Sequence, residues 1–403
     1  VGSRSWRSRR SWPSRRGAVI VVFALNGAAF GSWAPRVPAL TEQVGAAPGS
    51  LGLALLGASA GMLIAAAVTG RLVETFGPRV VIAVSTLAAS AALPAIGVAG
   101  SVPALATALF GLGVSVGALD VAMNVAGVVV ERETGRKSMP IFHAGFSFGA
   151  LAGSAGAALA AAHAWSPARQ LVLAALATAL VLALVGGALP GAAPRTTSTS
   201  RNRPTGLAPV RRVAMWLLAA IALCSAVAEG ASSDWSALLL VTVQQVGEGA
   251  AALAYSAFSL AMALTRLAGG MAQARFGPVR VLAGGALCAG AGLCAAAVVP
   301  VAAVAYLGFA LAGAGLAASF PIALSLAGAA GQRADGSGGE REIAFVTAIA
   351  YSGFLAGPPA IGGIAELTSL STSFVMVGLV ATAIGPAAVI AARALSRERA
   401  PVC

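Results

Sequence analysis

The chain has 403 residues, 58% hydrophobic and only 10% charged, with a mean hydropathy of +0.87. A soluble domain carries about a quarter charged residues, and no soluble interior could hide this much apolar surface, so lipid must solvate much of the exterior. The net charge of +13 does not mark a nucleic-acid binder, because the arginines sit in short clusters between apolar runs rather than along one face.

In chain order, a basic, Ser-rich stretch over 1–16 precedes the first apolar run. That run shows no small-residue cleavage pattern and continues into SWAPRVP, so it reads as a retained first helix. Runs long enough to cross about 30 Å of hydrocarbon then recur. The expected spans are 17–38, 51–70, 80–99, 104–130, 141–162 and 170–189, followed by 213–241, 251–271, 280–299, 301–326, 343–366 and 372–393. Between the sixth and seventh lies the one long polar stretch, PGAAPRTTSTSRNRPTGLAPVRR at 190–212, read as a flexible linker. The expected organisation is thus a tail at 1–16, one six-helix bundle at 17–189, the linker, a second bundle at 213–393 and a tail at 394–403.

Starting inside, 23 of the 26 Lys and Arg residues fall on the side of the termini. Arg36 and Arg169 fall opposite, and Arg266 lies within a helix. The positive-inside rule therefore puts both termini in the cytoplasm. On this reading Trp33, Trp165 and Trp235 belong to an outer aromatic belt and Trp216 to an inner one. Cys224, Cys288, Cys294 and Cys403 lack metal-ligand spacing and read as small hydrophobes.

The second half repeats the first. GRLVETFGPRV at 70–80 aligns with GMAQARFGPVRV at 270–281, HAGFSFG at 143–149 with YSGFLAG at 351–357, and Asn26-Gly27 with Glu229-Gly230. A parallel repeat of this kind sets the halves around an axis along the membrane normal, with a central site and rocking halves.

The 70–80 segment resembles the loop between helices two and three of the major facilitator superfamily, G-x-x-x-[DE]-[RK]-x-G-x-[RK]. Gly70, Glu74, Gly77 and Arg79 match it, with Thr75 in place of the base; Gly270, Arg275 and Gly277 match in the second copy, with Ala274 in place of the acid. The resemblance implies an all-α integral membrane fold of twelve transmembrane helices in two pseudo-symmetric bundles. It also implies a conformational role for these loop residues. More narrowly, GVSVGALDVAMN (113–124) and FHAGFSFGALAG (142–153) resemble the fucose–proton symporter branch. EGASSDWSALLL (229–240) and GFLAGPPAIGGIAE (353–366) resemble an uncharacterised bacterial group beside it.

Asp120 is the sharpest candidate for chemistry. A carboxylate at mid-bilayer depth costs about 2.5–3.5 kcal/mol on insertion scales, so it must face a wet cavity or the bundle interior. In the resembling symporters the matching acid couples protons, and Glu229 is the counterpart candidate in the seventh helix. Asn124 shares the helix face of Asp120. With Asn26, His143 and its repeat mate Tyr351, it is expected to line the solute site. Asp234 reads as interfacial, and Arg266 as a side chain that snorkels to the interface. No P-loop, Walker acid, H-E-x-x-H or nucleophile elbow is present, so the chain reads as a non-enzyme without cofactor or metal, driven by an ion gradient. The expected activity is proton-coupled transport of a small polar solute, sugar-like or otherwise, by a monomer in the bacterial plasma membrane. The alternative is a proton-coupled exporter of drugs or metabolites.

Overall fold

The computed structural model describes residues 14–136, 138–191, 209–332 and 339–399. Twelve helices among them are long and apolar enough to cross a membrane. They are α1 (Arg15–Val44), α2 (Pro48–Phe76), α3 (Pro78–Gly97), α4 (Val102–Thr134), α5 (Met139–Ala162) and α6 (Pro167–Ala188). The second set is α7 (Val213–Thr242), α8 (Glu248–Phe276), α9 (Pro278–Val298), α10 (Ala302–Gly331), α11 (Arg341–Leu367) and α12 (Leu370–Glu398). The expected starts hold to within three residues, but α1, α2, α8 and α10 each run five or six residues past the expected end, and α12 continues through 394–398, where the sequence suggested a tail. Most of the 190–212 linker lies outside the described residues, as do 1–13 of the amino-terminal tail.

Local sequence explains the starts. Pro48, Pro78, Pro167 and Pro278 open helices where their missing N–H costs nothing. Ser101, Ser166 and Ser369 cap α4, α6 and α12 by accepting from backbone N–H groups. In α1 the pattern breaks: the helix tightens at Ala34–Arg36, next to Pro35 and Pro38, and resumes as Val37–Val44. This segment folds across onto α7 and α8 of the other half.

Neighbour relations repeat between the halves. Helix α1 packs on α5, α2 on α4 and α3 on α6; α7 packs on α11, α8 on α10 and α9 on α12. Small residues make these approaches possible. A Cβ on Gly27 would stand 1.9 Å from the Phe146 carbonyl oxygen, and one on Gly149 would stand 1.9 Å from that of Ala24. The aligned turns are also alike: Gly77 has φ 79° and ψ 157°, and Gly277 has φ 77° and ψ 160°. Gln43 donates to the carbonyls of Gly97 and Ala99, and Gln244 donates in the same way to Ala296 and Val299. Each glutamine thus satisfies the carboxyl end of its half's third helix, which has no partner within the helix.

The halves meet along two antiparallel seams, α2 with α11 and α5 with α8. On the face opposite the termini both seams are tight. There Gly52 lies against the Pro358 carbonyl and Gly249 against Ala162, while Gly49 N–H donates to Glu366 Oε2 at 2.8 Å. Arg36 reaches toward Glu248 of the other half at 3.8 Å. Toward the termini, the ion pairs among the described residues stay within one half: Arg15 with Glu133, and Arg212 with Glu342 and Glu398. Leucines of the peripheral helices, such as Leu87, Leu176, Leu180, Leu184 and Leu287, stand exposed where lipid tails would be.

Three expectations fail here. Trp33 and Trp235 are buried in the core, 1% and 0% exposed, because α1 turns inward instead of ending at an interface. Of the four, only Trp216 stands out at the surface as a belt residue would, with Trp165 half-buried beneath the Arg169 guanidinium. Arg36, expected at the outer surface, is 2% exposed. The 70–80 motif is not a loop: α2 runs through Gly70 to Phe76, and the turn is the single residue Gly77.

Candidate functional site

Each seam carries a polar group near mid-depth. On the α2/α11 seam, Asp120 projects from α4 into a small cavity lined by Ser59 and Met62 of α2, Gly117 of α4, and Tyr351 and Phe354 of α11. Asp120 is half-buried, and Tyr351 lies within Coulombic reach of it. The site therefore joins both halves through a carboxylate and a phenol. Asn124, one turn along α4, donates its amide to the Asp120 backbone carbonyl at 2.8 Å and leaves the carboxylate free.

On the α5/α8 seam, Arg266 of α8 donates to Ser147 Oγ of α5 at 3.0 Å and lies 3.7 Å from Glu229 Oε1 of α7. The expectation of snorkelling fails for a plain reason. The α8 helix extends to Phe276, so Arg266 is ten residues, about 15 Å, from its end rather than one turn. Glu229 remains 29% and Arg266 20% exposed, so water or a solute reaches both. Tyr255 feels the charges of Glu229, Asp234 and Arg266. Asp234 is half-buried on α7 and accepts from Ser233 Oγ at 2.7 Å, instead of standing solvated at the interface.

His143 lies one turn before Ser147, exposed, edge-on to Phe23 and within Coulombic reach of Arg266 rather than Asp120. Asn26, expected to line the solute site, is 1% exposed inside the first half, where its amide donates to Met123 Sδ at 3.7 Å. Its side chain thus lies against α4, outside the lining of the Asp120 cavity. The expected residues thus form two groups: Asp120 with Tyr351 and Asn124, and Glu229 with His143. Sequence reading missed Arg266 and Ser147 as members of the second.

The motif residues also have defined places. Gly77 and Gly277 supply positive-φ turns, and Arg79 donates to the carbonyls of Gly187 and Leu189 at the end of α6. Glu74 is exposed and makes no ion pair among the described residues. The Arg275 guanidinium lies over its neighbour Phe276. Around Gly70 and Gly270 a Cβ would meet nothing within 4 Å.

Two duplicated six-helix bundles in lipid, with half-buried charges gathered at both seams between them, define a membrane transporter. The match to the Major Facilitator Superfamily over residues 19–328 makes the assignment specific: the chain belongs to that family and carries a small solute across a membrane. It is 32% identical over 361 residues to an uncharacterised MFS-type transporter of Yersinia pestis, covering 89% of this chain and 91% of that one. An uncharacterised transporter of Sinorhizobium fredii is 34% identical over 360 residues, with 89% and 93% covered. Among solved structures, a variant of the nucleoside transporter NupG superposes with a TM-score of 0.74 at 13% identity, covering 96% of this chain and all of that one. A bacterial homologue of the human lysosomal transporter Spinster, in an inward-facing and occupied conformation, gives 0.74 at 16% identity with both chains fully covered. A variant of the E. coli fucose:proton symporter FucP gives 0.62 at 18%, with 93% and 98% covered. Likenesses at this identity concern the fold alone.

Proposed function

We propose that the protein is a proton-coupled transporter of a small polar solute in the bacterial plasma membrane, with both termini cytoplasmic. The distribution of arginine supports that orientation. With seams tight on the opposite face, the conformation is then open toward the cytoplasm. The observation that carries the reading is Asp120: a half-buried carboxylate at mid-helix, in a cavity between the halves, without a basic partner among the described residues. Having no fixed counter-charge, Asp120 loads a proton when the cavity opens to the acidic side and releases it to the other. Tyr351, across the seam, accompanies that exchange, and Asn124 fixes the local helix.

The solute occupies the space between Asp120 and the Arg266–Glu229 pair, where His143 is exposed. Alternating access follows from opening one end of the two seams while the other closes. The test uses proteoliposomes holding a pH-sensitive dye. A solute panel of hexoses, polyols and small carboxylates is added, and the wild type moves protons with the solute it carries. Asp120→Asn should move fewer protons per solute while retaining solute exchange. If that variant moves as many protons per solute as the wild type, the assignment of Asp120 fails.

A further inference from the structure

From the Arg266 cluster we infer that the transported solute carries a carboxylate, which docks on Arg266 by displacing Glu229, and that Glu229 takes up a proton as it is displaced. The inference rests on the proposed transport reading and deepens it by naming the substrate class.

Three observations carry it. First, the Arg266–Glu229 pair is half-made. At 3.7 Å the two are held by charge without a hydrogen bond, and Ser147 occupies only one of the guanidinium's five N–H donors. A carboxylate meeting the guanidinium squarely would form two short charge-assisted bonds, a better partner than Glu229 in its present pose. Second, the pair is reachable: both side chains are partly exposed, and His143 stands one turn nearer the termini on the same seam. Third, the cation is built into one seam only. The 70–80 and 270–281 repeats pair Arg266 with Ala66 on α2, so the duplicated fold does not need an arginine there.

The groups facing Glu229 decide the charge balance. Helix α8 brings Arg266 and Tyr255, α5 brings His143 beside Arg266, and α7 itself carries Asp234, tied to Ser233. Helix α11 presents Phe354 against Gly230. The only titratable side chains of α10 and α12 are Tyr306, near the outer end, and Arg393, Arg397 and Glu398, near the termini. Arg266 is the one guanidinium among these groups, and Glu229 is the carboxylate that it faces, Asp234 being held by Ser233. When the solute's carboxylate takes Arg266, Glu229 loses its counter-charge and stands beside a second carboxylate, and it accepts a proton from the open aqueous side. Anion and proton bind together, so the site's charge is unchanged.

The experiment compares matched acids and neutral analogues, glucuronate with glucose and lactate with glycerol. They are tested on the purified full chain by thermal stabilisation and by proton uptake in weak buffer. An acid should stabilise the wild type where its neutral partner does not. Its affinity should fall as pH rises, because protons are taken up with the anion, and binding should consume one proton. Arg266→Gln should weaken the acid about 10- to 100-fold, while Arg266→Lys recovers part of the loss and confirms that the fold survives. Glu229→Gln should bind the acid with no proton uptake and no pH dependence. Equal stabilisation by neutral partners, no stabilisation by either acid, or proton uptake unchanged in Glu229→Gln overturns the inference. Solute-driven proton movement that depends on Asp120 but is indifferent to Arg266→Gln would also overturn it, while leaving the proposed function in place.

Discussion

Charge and glycine divide the labour at single positions. Asp120 was legible because an acid inside an apolar run has a cost that demands a cavity, and the cavity is there. Arg266 was misread by distance: the expected span stopped at 271, and five further helical residues move its guanidinium from snorkelling range to the seam. Asn26 was misread because helical periodicity says nothing of which face a neighbouring helix will cover. The glycines of the repeated motif separate in the same way. Gly77 and Gly277 hold φ near +80°, where a Cβ is strained, and Gly77 also sits against the Gly191 carbonyl. Gly77→Ala should therefore lower stability by about 1–2 kcal/mol or more and Gly277→Ala by somewhat less. Gly70→Ala and Gly270→Ala should be neutral or slightly stabilising. Thermal melting of the four purified variants orders them, and a melting loss at Gly70 equal to that at Gly77 would show that the motif's first glycine has a packing duty this conformation does not require.

Among whole elements, small-residue approach governs where helices sit. Helices α1 and α5 touch backbone to backbone at Gly27, Gly31, Gly149 and Gly153, with dispersion between close helices standing in for the hydrophobic effect that lipid removes. The sequence announced abundant glycine but not which glycines meet, because Gly/Ala-rich helices offer several faces of equal size. Gly149→Leu should push α1 from α5 and cost about 1–3 kcal/mol or more. Gly156→Leu on the same helix, with nothing within 4 Å, should melt like wild type. Differential scanning fluorimetry of the pair decides this, and a silent Gly149→Leu would mean that α1 and α5 do not pack at this distance in the membrane.

For the molecule as a whole, composition and duplication made the twelve-helix, two-half architecture readable from sequence. The seams were not readable, since nothing in a hydropathy pattern says that α5 meets α8 or that a broken α1 closes the face opposite the termini. Those seams carry the account's central claim, that transport requires the contact between the halves on the face opposite the termini to open. Ser154 and Ser256, whose hydroxyls are 2.7 Å apart across the α5/α8 seam, allow a direct measurement. With Cys224, Cys288, Cys294 and Cys403 replaced by alanine, the double variant Ser154→Cys/Ser256→Cys is oxidised in membranes and its solute-coupled proton movement is followed. The account predicts a disulfide that forms readily, stops transport and releases it fully on reduction. A cross-linked protein that turns over at the rate of the reduced one would contradict it.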